Sequence, residues 1–243
     1  MKNRNLLVFD FDGVIVDNTH LGYKKTNQIL AELGLPPIPT DFIRKHWGER
    51  VNDLALVICK YHGQATDKNL TYFRNRVMET NIGVSLDRDL FGSLISLPEF
   101  GFFTGIITSR SKAELKKCAE EIGLDLSIFH YIQTIDDHLC SKPNGHVFDP
   151  LIHWAGCRNL TSANIAYFGD TINYDQAAVK NSRKPIKFIG VCSGVNTYKE
   201  FEDAGLNETE IISSHDVLSF YLKRLIQEKA ASRVGARKVA SSR

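Results

Sequence analysis

The feature that most constrains the fold is a set of short apolar segments that recur along the chain without alternation. They occupy residues 6–9, 102–107, 165–168 and 186–191. Continuous apolar runs of this length are typical of parallel strands covered on both faces, because strands with one solvated face alternate apolar and polar residues. Helical patterns and a weaker strand at residues 131–134 lie between them. This order predicts an α/β fold with a doubly wound, Rossmann-like parallel sheet.

A long segment after the first strand breaks this rhythm. Between about residue 18 and residue 86 the pattern contains no convincing buried strand and instead predicts helices. Their predicted bounds are 19–33, 40–46, 50–61 and 67–81. We therefore expect a helical cap domain at residues 18–86, inserted into a core domain made of residues 1–17 and 87–228.

The C-terminal segment differs in composition from the rest of the chain. Residues 229–243 contain five basic side chains and no acidic one, whereas the whole chain has 30 basic and 28 acidic side chains. Basic ends rich in alanine and serine can contact nucleic acid or anionic lipid, but they are more often solvated. We interpret residues 229–243 as a basic flexible tail, and we expect neither a nucleic-acid partner nor a membrane partner.

The composition excludes several classes of protein. With 43% hydrophobic and 24% charged side chains among 243 residues, the chain is neither disordered nor fibrous. Its five cysteines never form a CxxC pattern, which argues against a disulfide framework and against a zinc knuckle. No run reaches the ~18 apolar residues of a membrane span, and residues 6–9 are too short for a signal peptide. A cytoplasmic monomer or homodimer is expected.

Polar residues follow the predicted strands at the points where ligands bind in open parallel sheets, beyond the carboxyl ends. They are Asp10, Asp12, Gly13, Thr108, Ser109, Lys142, Asp170 and Asp175. Each one alone is weak evidence, because an aspartate after a strand is commonly a turn former or a helix cap. Taken together, carboxylates converging at one edge require a cation such as Mg²⁺, and a lysine with a hydroxyl suits a phosphoryl group.

These segments resemble the four motifs of the haloacid-dehalogenase-like hydrolase superfamily. The motifs correspond to residues 10–17 (DFDGVIVD), Thr108, Lys142 with Pro143, and residues 169–175 (GDTINYD). The resemblance extends from residue 6 to about residue 226. Within it, the similarity is greatest to the phosphoglycolate-phosphatase and β-phosphoglucomutase branch. The features that carry this similarity are the helical insert, the sequence DGVIVD and residues 190–205.

The two aspartates of the first motif have distinct expected roles. Asp10 is placed to attack phosphorus and form an aspartyl-phosphate, which divides one displacement into two easier ones. Asp12 lies two residues further on, so it faces the same way in an extended segment and can serve as general acid and base. The resemblance further implies that Asp12 gives its backbone carbonyl to the metal.

The remaining motif residues are expected to hold the phosphoryl group and the metal. Thr108 and Lys142 would bind phosphoryl oxygens, with backbone N–H groups near Gly13 and Ser109 as further donors. Asp10, Asp12, Asp170 and Asp175 are the expected Mg²⁺ ligands. Close relatives usually have GDxxxD in the last motif, whereas Asp175 is one position further away here, so Asn173 stays open as the alternative ligand.

The cap is expected to close over this edge and to contribute substrate-reading residues. A polar cluster, Lys45, His46, Trp47, Glu49 and Arg50, is the candidate, with Lys45 and Arg50 as the expected substrate ligands. In phosphonate-cleaving relatives a cap lysine forms a Schiff base, and Lys45 stays open for that role. Alternatively, Trp47 packs between cap helices and Arg50 lies on a solvated face.

The function that fits these expectations is Mg²⁺-dependent hydrolysis of a small phosphomonoester metabolite, resembling phosphoglycolate or a sugar phosphate. A phosphosugar mutase would use the same Asp10 and Asp12 but return the phosphoryl group to sugar. Dehalogenation is disfavoured, because cleavage of a carbon–halogen bond has no need of an acid at position 12. A binding or regulatory protein on the same fold is the alternative from another class, and the presence of the full motif set argues against it.

Overall fold

The computed structural model describes residues 5–79 and 86–241. Its strands are β1 (Asn5–Phe9), β2 (Phe102–Ile107), β3 (Tyr131–Gln133), β4 (Ile165–Gly169), β5 (Lys187–Val191) and β6 (Ile211–Ile212). Its helices are α1 (Thr19–Glu32), α2 (Thr40–His46), α3 (Val51–Tyr61), α4 (Asp67–Glu79), α5 (Arg88–Ser96), α6 (Lys112–Ile122), α7 (Asp149–Gly156), α8 (Ala177–Lys180), α9 (Tyr198–Asp203) and α10 (His215–Ser241). Of these, α5, α9, α10 and β6 have no counterpart among the elements predicted from the sequence.

Within the described residues the strands form one parallel sheet of six strands in the order β3-β2-β1-β4-β5-β6. Leu6 of β1 pairs with Phe103 of β2 on one side and with Ile165 of β4 on the other. The chain thus builds outward in both directions from β1, which creates a crevice beyond the carboxyl ends of β1 and β4. The expected doubly wound α/β fold is confirmed.

Alternate residues of β1 enter two different hydrophobic clusters, one on each face of the sheet. Leu7 and Phe9 pack with residues of α5, α6 and α10. Leu6 and Val8 pack with residues of α7, α8 and α9. Since both faces are covered, every position of the strand interior favours an apolar side chain, which explains the continuous runs in the sequence.

Helices α1–α4 follow β1 directly and have a hydrophobic cluster of their own. Its fully buried members include Ile29, Leu30, Ile43, Ile58 and Phe73. We call α1–α4 the cap helices, following the proposed division of the chain into a cap and a core. Residues 80–85, where the predicted helix 67–81 ends and the proposed cap approaches its boundary, lie outside the described residues.

The C-terminal helix extends beyond the proposed end of the core domain. α10 runs without interruption from His215 to Ser241, so residue 228 does not coincide with the end of an element. The expected tail therefore continues this helix as far as the described residues reach, and residues 242–243 lie outside them. In the described part of the chain, no helix combines the length and the apolar character needed to cross a bilayer.

Gly22 and Gly92 provide a matched pair for testing the packing of the cap helices. Both lie inside helices, where alanine normally stabilises by roughly 1 kcal/mol relative to glycine. A Cβ atom at Gly22 would lie 1.8 Å from Cη2 of Trp47, whereas a Cβ atom at Gly92 would meet nothing within 4 Å. We expect Gly22→Ala to lower the free energy of unfolding by about 1–3 kcal/mol through overpacking, and Gly92→Ala to raise it. Urea denaturation measures both, and stabilisation by both substitutions would contradict the described position of Trp47.

Candidate active site

The loop after β1 brings Asp10 and Gly13 to the carboxyl edge of the sheet. The Asp10 N–H donates to the Phe168 carbonyl of β4 at 2.8 Å, which fixes the start of the loop. Gly13 has a φ of +76°, and a Cβ atom there would lie 2.3 Å from Oδ2 of Asp170. Glycine is required at this turn by both facts. The Gly13 N–H donates to the Val16 carbonyl at 2.7 Å, so the role of Gly13 in the described conformation is steric, and phosphate contacts from N–H groups near it stay a prediction.

A buried lysine links the loop after β3 to the edge formed by β1 and β4. Nζ of Lys142 donates to Oδ2 of Asp10 at 2.8 Å, to Oδ1 of Asp175 at 2.7 Å and to the Tyr167 hydroxyl at 3.1 Å. Although burial disfavours its charge, the carboxylates of Asp10 and Asp175 raise the pKa of Lys142. The amine is therefore a permanent positive charge beside the candidate nucleophile.

Asp170 follows β4 and lies against the loop after β5. Its Oδ2 accepts a hydrogen bond of 2.9 Å from the Val195 N–H, and a Cβ atom at Gly194 would lie 1.8 Å from the same oxygen. Burial, followed by the charges of Asp175 and Asp10, raises the pKa of Asp170 well above its ordinary value. Burial is also the main cause that raises the pKa of Asp10, to about 7, although Lys142 opposes it.

A π-helical turn at Ile172–Gln176 accommodates the extra residue between Asp170 and Asp175. The Gln176 N–H donates to the Thr171 carbonyl at 3.0 Å, five positions back, so this turn contains one residue more than an α-helical turn. Asp175 is thereby directed toward Lys142. Its Oδ2 accepts from the Thr171 N–H at 3.1 Å and from the Thr171 hydroxyl at 2.6 Å.

Three of the expected metal ligands come together. Among the described residues, Asp10, Asp170 and Asp175 each offer an oxygen within 4.8 Å of the other two, and all three are buried. These carboxylates are hard oxygen donors, and the pKa values of Asp10 and Asp170 are raised in the absence of a cation. Such a set fits a divalent ion such as Mg²⁺. Asn173 lines a separate cavity, so the geometry favours Asp175 over Asn173 as the acidic group of this cluster.

The carboxylate of Asp12 is held by a side chain that the sequence analysis did not single out. Nε and Nη2 of Arg110 donate to Oδ2 and Oδ1 of Asp12 at 2.8 and 2.7 Å, and the Asn18 amide donates to Oδ1 as well. Although burial opposes the charge, the guanidinium lowers the pKa of Asp12. Arg110 directly follows the pair Thr108 and Ser109, and this position is the only signal that the sequence carried for it.

Thr108 and Ser109 stand at the end of β2, beside Asp10. The Thr108 N–H donates to the Gln133 carbonyl at 3.0 Å, and its buried hydroxyl accepts from the Arg110 N–H at 3.2 Å. Ser109 lines the same cavity as Asp10. Ser109 therefore shares the cavity of Asp10, whereas Thr108 is not among its lining residues, and the phosphate contacts expected of both stay predictions.

This cavity, here called the main cavity, lies between the carboxyl edge of the sheet and the cap helices and has a volume of about 340 Å³. From the core it is lined by Asp10, Asp12, Asp170, Ser109, Arg110, Ala113, Glu114, Lys117, Cys118 and Glu121. From the cap side it is lined by Asn18, Gly22, Lys25, Thr26, Trp47, Gly48, Glu49, Val51, Leu54 and Val77. The position of Lys25 at this cavity was not predicted. Its spacing from Gly22 places the two residues on one face of a helix, but it does not indicate what that face covers.

The two expected cap ligands are placed elsewhere. Lys45 lines the second cavity, with Arg44 and Glu200, and Arg50 is exposed at the start of α3 and lines neither cavity. Lys45 belongs to α2, whereas Trp47 and Glu49 lie in the turn after it, on either side of Gly48 with its φ of +101°, and both line the main cavity. The Schiff-base role that was left open for Lys45 has no support from this placement.

Side chains of the cap helices contact the core at the second cavity. Arg44 donates to the Val195 carbonyl at 2.8 Å and to Oε2 of Glu200 at 2.9 Å. The Tyr174 hydroxyl donates to Oε1 of Glu49 at 2.9 Å. These contacts hold the cap against the loop after β5, against α9 and against the turn between Asp170 and Asp175, so the cap covers the main cavity in this conformation.

Comparison with known proteins agrees with this architecture. Over 230 residues the chain is 25% identical to a phosphoglycolate phosphatase of Psychrobacter arcticus. This alignment covers 90% of this chain and 96% of that protein. The crystal structure of a predicted phosphoglycolate phosphatase from Haemophilus somnus aligns with a TM-score of 0.71 at 18% identity, covering 91% of this chain and 99% of that one. The structure of a β-phosphoglucomutase from Clostridium difficile aligns with a TM-score of 0.66 at 18% identity, covering 95% and 98%.

A family model gives the most direct assignment. The model described as haloacid dehalogenase-like hydrolase matches residues 7–191, which span β1, the cap helices and the sheet as far as β5. The matched region contains Asp10, Lys142, Asp170 and Asp175, the four residues that form the buried cluster. The chain belongs to the haloacid dehalogenase-like hydrolase family.

Proposed function

We propose that this hydrolase is a Mg²⁺-dependent phosphatase that cleaves a small phosphomonoester through an aspartyl-phosphate on Asp10. The observation that carries the proposal is the buried cluster in which Lys142 bridges Asp10 and Asp175 next to Asp170, with Asp10 and Asp170 lining the main cavity. The similarity to a phosphoglycolate phosphatase supports the reaction class.

The contacts of Asp10 suit a nucleophile. Oδ1 accepts from the Phe11 N–H at 2.7 Å and Oδ2 accepts from Lys142, so the carboxylate is held in one orientation. In the first step an oxygen of Asp10 bonds to phosphorus as the ester bond breaks. In the second step water bonds to phosphorus, and the bond to Asp10 breaks with release of inorganic phosphate.

Asp12 would move the protons of both steps. It gives a proton to the departing alkoxide, which leaves as an alcohol, and later takes a proton from the attacking water. The described conformation holds Asp12 ionised against Arg110. The acid role therefore requires Asp12 to leave this ion pair when substrate binds.

The proposed metal site uses the carboxylates of Asp10, Asp170 and Asp175, together with the backbone carbonyl of Asp12. Asp175 also accepts hydrogen bonds from Lys142, Tyr167 and Thr171, so it orients Lys142 beside the ion as well. Bound Mg²⁺ would offset negative charge on the phosphoryl oxygens.

The cellular setting is also a proposal. All five cysteines are free thiols in the structure: two are buried, two are partly buried and one is exposed. Free thiols suit a reducing compartment. We therefore propose that the enzyme acts in the cytoplasm on a freely diffusing metabolite, and the expected monomer or homodimer stays a prediction.

Turnover of phosphorylated metabolites tests the proposed reaction. We expect purified protein with Mg²⁺ to release inorganic phosphate from at least one member of a panel of small phosphomonoesters. Asp10→Asn should abolish release, because an amide is a poor nucleophile of nearly the same shape. The panel should include sugar phosphates analysed for isomerisation, since the mutase alternative predicts isomerised sugar instead of free phosphate. Binding without turnover of any compound would support the non-catalytic alternative.

Asp12→Ala tests the acid and base role separately. Hydrolysis of an alkyl phosphate should fall by about 10²–10⁴-fold, because the leaving alkoxide has no proton donor. An aryl phosphate has a better leaving group, so formation of the aspartyl-phosphate should suffer less than its hydrolysis. Rapid-quench kinetics with both substrates measures the two steps. Hydrolysis of the alkyl phosphate at the rate of the unmodified enzyme would exclude the role.

The pKa values of the cluster predict how pH and metal affect stability. Without metal, Asp10 keeps its proton in the folded state up to about pH 7, whereas in the unfolded chain it ionises near pH 4. Its contribution to the free energy of unfolding therefore falls as pH rises from about 4 to 7. Added Mg²⁺ binds the ionised carboxylates, so the stabilisation by Mg²⁺ should grow over the same interval.

Thermal unfolding in chelator and in Mg²⁺ across this pH interval measures both effects. Asp10→Asn is the matched control, because contributions from histidines such as His130, whose pKa is lowered by burial, are common to both proteins. Relative to this variant, the unmodified protein without metal should lose stability with rising pH. A constant difference between the two proteins would contradict the raised pKa of Asp10.

A further inference from the structure

Glu49 brings a carboxylate to the main cavity that the proposed reaction does not use. It lies in the turn after α2, where its Oε1 accepts a hydrogen bond of 2.9 Å from the Tyr174 hydroxyl, and Nδ1 of His46 lies 2.9 Å from the same oxygen. Burial, and then the hydrogen bond to Glu49 and its charge, raise the pKa of Tyr174, so the tyrosine stays the donor. Both contacts engage one oxygen and thereby orient the carboxylate.

The second oxygen of this carboxylate is buried without a partner. No residue that the structure describes donates a hydrogen bond to Oε2 of Glu49. Two other acids of the lining differ in this respect, because Asp12 is paired with Arg110 and Glu114 accepts from the N–H and the hydroxyl of Ser111. Buried polar atoms normally have a partner, since an unsatisfied one is costly and a charged one more so. Oε2 therefore favours a ligand that brings a donor.

A second buried acceptor of the same lining also has no partner. Asn18 is 1% exposed, and its amide group donates to the Asp12 carboxylate, whereas its Oδ1 meets no donor in the described part of the chain. Amide and carboxylate oxygens accept hydrogen bonds and cannot donate them. A ligand that satisfies either oxygen must donate, so a further carboxylate, a second phosphate or an ether would not fit at this place.

Both acceptors are connected to the reacting edge of the sheet. Asn18 contacts Asp12, and Glu49 contacts Tyr174, which directly precedes Asp175 in the π-helical turn. We therefore expect the donor that they accept to lie a few bonds from the phosphoryl group, and not at the far end of a long leaving group.

The cap wall around Glu49 is otherwise apolar. Trp47, Val51, Leu54 and Val77 line the cavity from α3, α4 and the turn after α2. A charged acceptor in such a wall discriminates strongly against an isosteric ligand without a donor, because that ligand leaves the acceptor desolvated and unpaired. The wall thus suits a short leaving group in which one donor is the feature that is recognised.

We propose that the leaving group of the substrate carries a hydrogen-bond donor, an ammonium or a hydroxyl group, close to the ester bond, and that Oε2 of Glu49 accepts this hydrogen bond. The inference rests on the proposed phosphatase function and names the substrate class of the same site. It assigns Glu49 as a specificity-determining residue.

Three short phosphomonoesters of the same size test the inference. 2-Aminoethyl, 2-hydroxyethyl and propyl phosphate end in an ammonium, a hydroxyl and a methyl group on the same chain. We expect kcat/KM to favour at least one of the two donor compounds over propyl phosphate by about tenfold or more, the effect of one hydrogen bond to a charged group. The trimethylammonium counterpart of the amine carries the charge without an N–H and should lack this advantage.

Glu49→Gln separates recognition of the donor from packing of the cap. The amide keeps an oxygen for Tyr174 and places an NH₂ group, itself a donor, where Oε2 lies. It should remove most of the preference and leave kcat/KM for propyl phosphate nearly unchanged. Tyr174→Phe removes the contact with the core but keeps the carboxylate, so the preference should remain.

Glu120→Gln is the matched control, because Glu120 is exposed on α6 beside Lys116 and lines neither described cavity. It should leave the preference unchanged, and thermal unfolding of each variant checks that the fold is intact. Three results would overturn the inference: equal kcat/KM for the three esters, an equal advantage for the trimethylammonium compound, or an equal loss with all substrates in Glu49→Gln. Each of them leaves the phosphatase function in place, since hydrolysis itself is then observed.

Calorimetric binding of the corresponding phosphonates, which cannot be hydrolysed, separates this inference from the reaction. They are 3-aminopropyl-, 3-hydroxypropyl- and butylphosphonate. If no ester is hydrolysed but a donor-bearing phosphonate binds about tenfold more tightly than butylphosphonate and Glu49→Gln removes the difference, the phosphatase proposal fails and the donor site stands. If all three phosphonates bind equally, the donor site is wrong whatever the activity.

Discussion

The ammonium group of Lys142 is the interaction on which the candidate site depends. Asp10, Asp170 and Asp175 converge at the edge of the sheet, and three buried carboxylates would repel one another without a nearby cation. Lys142 donates to Asp10, to Asp175 and to the Tyr167 hydroxyl, which in turn donates to Asp175 at 2.9 Å. The positive charge of Lys142 thus links β1, β4 and the loop after β3. It offsets only part of the negative charge of the three carboxylates, and a metal ion would balance the rest.

Close backbone packing positions Asp170 within this cluster. A Cβ atom at Gly13 or at Gly194 would overlap its carboxylate, so two separate loops approach it more closely than any side chain allows. Asp175 is positioned in a different way, because a π-helical turn accommodates one additional residue between it and Asp170. The same chemistry therefore tolerates a change in motif spacing when the local backbone can adjust to it.

The sheet and its edge were predictable, because both follow from local patterns. The four buried runs became β1, β2, β4 and β5 within one residue of their expected bounds, since strands covered on both faces leave little freedom in sequence. Asp10, Lys142, Asp170 and Asp175 were found because they follow strands. Positions that depend on tertiary packing were not predictable. Arg110 and Lys25 reach the main cavity through the way the cap meets the core, and the same packing places Lys45 of α2 at the second cavity.

Chemical trapping of the intermediate tests the central claim, that Asp10 takes the phosphoryl group. Borohydride reduces an acyl phosphate but not a free carboxylate, so quenching an enzyme turning over an aryl phosphate should convert residue 10 to homoserine. Peptide mass spectrometry locates the change. We expect the change at Asp10, dependent on substrate and on Mg²⁺. Reduction at Asp12, Asp170 or Asp175, or turnover with no reduced residue at all, would contradict it.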